Sequence, residues 1–172
     1  MSMKLRKFIL SALLLVIGLI LHYATPPILM GMKPDFLLAM MFIAIIIVDD
    51  YKTALVIGIA SGLLTAATTT FPGGQVANII DKLVTSHIIF LINGLLNRMN
   101  IRDNYKMIII SITGTLISGI VFLTSAMLIV GLPGSFGALV LTVVLPATVI
   151  NTVAAFILYK AVSVGLKYSK FI

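Results

Sequence analysis

One stretch of this sequence, residues 68–82, concentrates side chains that can do chemistry. It places hydroxyls, two glycines, amides and an adjacent carboxylate and ammonium between two strongly apolar segments. Glycine has no Cβ and lets a ligand approach the backbone closely, while hydroxyls and amides can hydrogen-bond that ligand. If the chain binds a small polar or zwitterionic molecule, we predict contacts from Thr68, Thr69, Thr70, Phe71, Gly73, Gly74, Gln75, Asn78, Asp81 and Lys82.

A second pair of opposite charges, Lys33 and Asp35, lies at the start of another apolar segment. Charges at or below a membrane surface are costly unless they are paired or wetted, so they are functional candidates by default. Two such pairs match the ammonium and carboxylate of an amino acid. Lys33 or Lys82 would then bind the ligand's carboxylate, and Asp35 or Asp81 its ammonium. The alternative is that these residues only anchor helix ends at the interface.

Two other polar types are interpreted as structural. His22 and His87 fall at opposite ends of the predicted topology, so they do not form a metal site. Asn151 lies inside the last apolar segment, where bonding to a neighbouring helix is the more ordinary role. The sequence predicts no cofactor.

The composition identifies an integral membrane protein. The 172 residues are 60% hydrophobic and 10% charged, with a mean hydropathy of +1.21, against roughly 45–50% apolar residues in a soluble domain. The formal charge of +7 would suggest nucleic acid in a soluble protein, but here the cations flank apolar stretches, which favours the lipid bilayer as the partner. Because the chain has no cysteine, disulfides and thiolate chemistry are excluded.

Six apolar segments make up a single transmembrane domain over residues 1–172, an all-α bundle. Breaks at Pro26, at Gly73 and Gly74, and at Pro133 separate several of them. The second segment is short for a membrane span. Pro146 is expected to kink the last one. The predicted spans are 8–24, 34–48, 53–70, 76–96, 107–130 and 136–159.

The distribution of positive charge predicts the orientation. With six spans, one side of the membrane receives only Lys33 and Lys82, and cytoplasmic loops are the cation-rich ones. Both termini are therefore predicted to be cytoplasmic, which puts Asp35 and residues 68–82 on the outer side. The cation-rich side carries ten of the 12 Lys and Arg residues: Lys4, Arg6, Lys7, Lys52, Arg98, Arg102, Lys106, Lys160, Lys167 and Lys170.

Small residues recur at four-residue steps in the third and fifth spans. These ridges predict close helix packing. Their members are Gly58, Gly62 and Ala66 in the third span and Ser111, Thr115 and Gly119 in the fifth.

Two long runs, 31–42 (GMKPDFLLAMMF) and 68–82 (TTTFPGGQVANIIDK), resemble the signature stretches of the bacterial tryptophan transporter family. The small membrane proteins of that family are similar to the substrate-binding components of energy-coupling factor transporters. The resemblance implies a six-helix protein that captures tryptophan on the outer side. It also implies a separate transmembrane coupling subunit and two ATPase subunits as partners, with the binding protein tipping over in the membrane to release its cargo.

Two other function classes are alternatives. A multi-span membrane scaffold with no small-molecule substrate predicts contacts through the cytoplasmic loops, but those loops are short. An intramembrane enzyme would use Asp35 and Asp81 as a carboxylate pair. Each of these carboxylates has a lysine within two residues, which favours its ionised state and argues against a shared proton. We therefore predict a transport protein rather than an enzyme.

Overall fold

The computed structural model describes residues 3–26 and 34–168, so Lys33 and Lys170 lie outside the described residues. The predicted all-helical architecture is confirmed. Five of the helices are long and apolar enough to cross a membrane, and α2 is a shorter apolar helix. The described helices are α1 (Met3–Ala24), α2 (Phe36–Val48), α3 (Tyr51–Thr68), α4 (Gln75–Arg98), α5 (Asp103–Ile129) and α6 (Phe136–Tyr168).

Helix α2 forms the centre of the bundle. Its 13 residues are all apolar, ten of them are buried, and it contacts each of the other five helices. A helix that is apolar on every side is stable only when it is surrounded. At about 20 Å it is shorter than the roughly 30 Å hydrocarbon core of a bilayer. The longer helices around α2 therefore extend past its ends.

Two aspartates define the ends of α2. The Asp35 carboxylate accepts a hydrogen bond from the Leu38 backbone N–H at 2.9 Å, which caps the first turn. Asp49 ends the helix in the left-handed conformation, with φ of 48°. Asp50 then caps α3 by accepting from the Thr53 N–H at 2.9 Å. This tight α2–α3 turn holds both helices in antiparallel register.

The predicted small-residue ridges are sites of close helix approach. A Cβ on Gly58 would overlap the Ser86 hydroxyl oxygen, and one on Gly62 would lie 3.0 Å from the Ile79 Cα. Helix α3 therefore packs directly on α4. On α5, a Cβ on Gly119 would lie 2.5 Å from Val144 Cγ1 of α6.

Helix α6 changes its winding near Pro146. Residues Val140–Val144 are π-helical, and the Leu145 N–H donates to the Val140 carbonyl. Proline has no N–H and crowds the carbonyl one turn earlier, so regular α-helical bonding is interrupted at that point. Because the winding is wider there, Val143 and Val144 face α5.

The bundle has two chemically different ends. At the basic end, the Lys7 ammonium donates to the Val48 carbonyl at 2.9 Å, which places the start of α1 beside the α2–α3 turn. The α4–α5 connection and the end of α6 lie at this end as well. The opposite end is formed by the first residues of α2 together with connections 69–74 and 130–135.

Candidate functional site

A cavity of about 140 Å³ opens at the end opposite the basic end. One water needs roughly 10–15 Å³ by this measure, so the space fits on the order of ten water-sized groups. All six helices contribute to its lining because the short α2 leaves room above its first turn. The lining residues are His22, Asp35, Leu38, Thr65, Thr69, Thr70, Phe71, Asn78, Asp81, Lys82, Thr115, Ser118, Gly119, Phe122, Leu123, Val143, Val144, Ala147 and Asn151.

Lys82 joins two carboxylates at the cavity. Its ammonium lies 2.8 Å from the Asp35 carboxylate at the start of α2 and 2.6 Å from the Asp81 carboxylate beside it on α4. The Lys82 and Asp81 side chains are 2% and 1% exposed, whereas Asp35 is 18% exposed. Charges this deeply buried persist only when they are paired and hydrogen-bonded.

Asp81 has hydrogen bonds on both carboxylate oxygens. The Thr85 hydroxyl donates to one at 2.9 Å, and the Ser118 hydroxyl of α5 donates to the other at 2.9 Å. Lys82 also reaches the Ser118 oxygen at 3.4 Å. Since an ammonium has three donors, those of Lys82 are occupied by Asp35, Asp81 and Ser118.

With both carboxylates ionised and His22 neutral, the network has a formal excess of one negative charge, because two carboxylates share one ammonium. Asp35 is the member most accessible from the cavity. It is held from several sides, since its backbone N–H donates to the Asn151 side-chain oxygen at 3.0 Å and its carboxylate caps α2. A fixed, partly accessible carboxylate of this kind is suited to binding a cation such as an amino-acid ammonium.

The structure brings some of the predicted contact residues to the cavity and leaves others outside its lining. Thr69, Thr70, Phe71 and Asn78 line it together with the three charged residues. Thr68 does not, and its hydroxyl donates instead to the Leu64 carbonyl at 3.0 Å. Lys33 lies outside the described residues. Gly73, Gly74 and Gln75 form the turn into α4 and are not among the lining residues.

Asn78 and Gly73 illustrate how this turn is built. The Asn78 side-chain amide donates to the Gly74 carbonyl at 2.9 Å, which joins the first turn of α4 to the connection before it. Gly73 has φ of +70°, a conformation that side chains rarely adopt. These residues therefore shape the connection that borders the cavity.

Several lining residues were missed or assigned another role by the sequence analysis. Asn151 bonds a neighbouring helix as predicted, but it also lines the cavity. His22, interpreted as structural, lines the cavity with its Nδ1 3.7 Å from an Asp35 oxygen. Ser118 and Phe122 lie within the fifth apolar span, and nothing in the sequence distinguishes them from residues that only pack against other helices.

Two phenylalanines form an aromatic contact at the cavity. Phe71, in the α3–α4 connection, meets Phe122 of α5 edge to face, with ring centroids 5.3 Å apart. The pair links two neighbouring elements and presents apolar surface to the cavity. The site thus combines a charged network with aromatic and aliphatic side chains, as binding sites for small amphiphilic molecules do.

Comparison with known proteins places this geometry in a family context. The sequence matches the family described as "Tryptophan transporter TrpP" over residues 4–167. Three curated relatives carry the name "Probable tryptophan transport protein". The one from Clostridium acetobutylicum is 52% identical and covers 97% of each chain. The one from Clostridium perfringens is 47% identical and covers 91% of each chain. The one from Bacillus subtilis is 46% identical, and the match covers 98% of this chain and 97% of the relative. No solved structure matches the chain.

Proposed function

The chain belongs to the tryptophan transporter TrpP family, and from this premise we propose that it captures tryptophan on the outer side of the bacterial cell membrane. It is a multi-pass membrane protein. The observation that carries the proposal is the buried network of Asp35, Lys82 and Asp81, which faces a cavity with an excess negative charge. In a family of tryptophan transporters, such a cavity is the natural candidate for the substrate site.

The proposed binding mode follows from which groups are already engaged. Asp35 receives the ligand's ammonium, since it is the most accessible charged group of the network. Lys82 has its donors occupied, so the ligand's carboxylate is left to Lys33 and to the hydroxyls of Thr69 and Thr70. Asn78 contributes a further polar contact at the cavity.

The orientation proposal is that all six helices cross the membrane with both termini in the cytoplasm. It is supported by the concentration of lysine and arginine at the basic end, since cytoplasmic loops are enriched in these residues. The cavity would then open toward the outside. Import through this site is further proposed to use a transmembrane coupling subunit and two ATPase subunits, as in energy-coupling factor transporters.

Ligand identity is tested by the thermal stability of the purified protein in detergent with a panel of amino acids. A ligand that binds only the folded protein raises its melting temperature. We expect tryptophan to raise it and alanine or lysine to leave it unchanged. A folded sample that responds to no amino acid would contradict the proposal and support a scaffold without a small-molecule substrate.

The orientation can be tested by cysteine labelling, because the natural chain contains no cysteine. Gly134 lies in open space at the cavity end, and Asn104 is exposed at the basic end. A membrane-impermeant maleimide applied to intact cells should label Gly134→Cys and should reach Asn104→Cys only after permeabilisation. The reverse pattern would overturn the orientation.

The coupling proposal is tested with the protein in proteoliposomes. Tryptophan uptake should require the coupling and ATPase subunits in the same vesicles. It should also require ATP on the side of the membrane where the ATPase subunits lie. Uptake by this chain alone, driven by an ion gradient, would contradict the coupling proposal while leaving tryptophan as the substrate.

A further inference from the structure

Many serine and threonine hydroxyls inside these helices bond back to their own helix. Such a hydroxyl donates to a carbonyl three or four residues earlier, which satisfies it without a ligand. Thr115 of α5 departs from this pattern. Its side-chain oxygen is buried without a hydrogen-bond partner among the described residues. The hydroxyls that bond back include those of Thr68, Ser111, Thr113, Thr124, Thr142 and Thr148.

Thr115 lies at the cavity. The residue is 4% exposed and belongs to the cavity lining. Buried polar groups in proteins nearly always have a partner, so an unpartnered one on a residue that lines a cavity is a candidate contact for a ligand. Thr115 supplies such a hydroxyl.

Part of the cavity lining on α5 and α6 is apolar. Gly119 and Phe122 follow Thr115 on α5, and Val144, with Val143 before it in the π-helical part of α6, packs against Gly119. We name Thr115, Gly119, Phe122, Val143 and Val144 the α5–α6 wall. Ser118 is also on α5, but its hydroxyl is engaged with Asp81. Within this wall, the Thr115 hydroxyl is the polar side-chain group.

Another group of lining residues is polar. It includes Asp35 at the start of α2, Asn78, Asp81 and Lys82 of α4, and His22 of α1. A ligand that fills both parts must carry charged groups at one end and an apolar body at the other. The apolar body of this ligand should also carry a single neutral polar atom, because the Thr115 hydroxyl in the α5–α6 wall needs a hydrogen-bond partner.

An indole ring meets this requirement, because it is a flat apolar group with a single N–H donor. We propose that the Thr115 side-chain oxygen accepts the hydrogen bond of the indole N–H of tryptophan and thereby determines selectivity for this ring. The inference rests on the proposed function, since it specifies how the same cavity holds its substrate. Thr115 is a specificity residue, and Asp35 at the polar side holds the amino group.

The test uses a ligand that differs from tryptophan at one atom. In β-(benzothiophen-3-yl)alanine, sulfur replaces the indole N–H, so the ring keeps its shape and loses the donor. Binding is measured by calorimetry on the full-length protein in detergent. The natural chain should bind tryptophan about 5- to 150-fold more tightly than the analogue, the range expected when a buried acceptor loses its donor. In Thr115→Val, which replaces the hydroxyl by a methyl group, this ratio should fall to within about twofold.

Matched variants separate this role from a structural one. Thr152 of α6 also has a buried hydroxyl without a partner among the described residues, but it does not line the cavity. Thr152→Val should keep the natural ratio between the two ligands. Thr115→Ser retains the hydroxyl and should restore most of the discrimination lost in Thr115→Val.

Two results would overturn the inference. One is equal binding of tryptophan and the analogue by the natural chain, a measurement that needs no variant and is unaffected if Thr115→Val fails to fold. The other is a Thr115→Val protein that keeps the full preference for tryptophan. Both differ from failure of the proposed function, in which the natural chain would bind neither ligand.

Discussion

Two polar clusters with the same types of charged residue connect helices at opposite ends of the bundle. Each contains two aspartates, one lysine and neighbouring hydrogen-bonding side chains. The cavity cluster is built on Asp35, Asp81 and Lys82. The basic-end cluster comprises Asp49, Asn93, Asn97, Asp103 and Lys106.

The two clusters differ in environment. At the basic end, the Lys106 side chain is 9% exposed, but its partner Asp103 is 65% exposed. Lys106 divides its bonds between this carboxylate and the Asn97 side-chain oxygen. Asp49 is exposed and accepts from two asparagine amides. In the cavity cluster, the lysine is 2% exposed and the more accessible carboxylate 18%. Charge composition therefore does not distinguish the two clusters, whereas the burial of both Lys82 and Asp81 beside a cavity makes the cavity cluster the candidate site.

The largest difference between the clusters is expected for their lysines. Lys82→Met leaves the buried Asp81 and the partly exposed Asp35 without their shared counter-charge and should lower the free energy of unfolding by about 3–5 kcal/mol. Lys106→Met removes a cation whose partner carboxylate is largely in water, so a loss of about 1 kcal/mol or less is expected. Denaturant or thermal unfolding in detergent measures both. Equal losses would remove the proposed distinction.

Tryptophan affinity is expected to differ between variants of Asp35 and Asp49, one aspartate from each cluster. Asp35→Asn keeps the size of the side chain but removes the charge proposed to hold the ligand's ammonium, so tryptophan affinity should fall about 10- to 150-fold. Asp49→Asn at the basic end should change affinity by less than about twofold, a shift of under about 0.5 kcal/mol. The chain contains no tryptophan, so the ligand's own indole fluorescence can report binding. Similar losses in both variants would argue against a substrate role for Asp35.

Alanine substitutions at two glycines compare how tightly the helices pack near the cavity and near the basic end. Gly119→Ala places a Cβ 2.5 Å from Val144 beside the cavity and should cost about 1–3 kcal/mol of stability through overpacking. Gly165 lies in the part of α6 nearest the basic end, and no atom is within 4 Å of a Cβ built there. Gly165→Ala should therefore stabilise the helix by about 0.5–1 kcal/mol. The opposite signs can be read from melting temperatures, and two losses of equal size would contradict this account.

The smallest effect is expected for Asp103→Asn. This variant removes an exposed charge from a pair within one helix turn, and Lys106 keeps its bond to Asn97. The free energy of unfolding should fall by about 0.5 kcal/mol or less, and the difference should shrink further at high salt. A loss of several kcal/mol would place the basic-end cluster in the same energetic class as the cavity cluster.

The sequence was sufficient for the class of protein and for its all-helical character, and it predicted some of the residues that line the candidate site. Hydropathy is a property of each segment by itself, so the long apolar helices can be recognised without knowing their neighbours. Asp81 and Lys82 stand out because a charge within such a segment is costly wherever that segment lies. The chain's cation asymmetry likewise needs no tertiary information.

Only the tertiary structure decided which of these groups meet. Asp35 and Lys82 are far apart in sequence, and their pairing depends on the short central α2 and on the rotation of α4 about its axis. That rotation is set by close contacts such as Gly58 against Ser86. Thr68 was predicted to contact a ligand, but its hydroxyl bonds back to its own helix.

Thr115 shows the limit most clearly. As a small residue in an apolar span it predicts helix packing, and nothing in the sequence distinguishes it from the threonines that bond back to their helices. Its hydroxyl is left free by the position of its neighbours in three dimensions. Local composition determined that this chain forms apolar membrane helices with charges at few places, whereas the packing of those helices against one another decided which polar groups are satisfied and which remain available to a ligand.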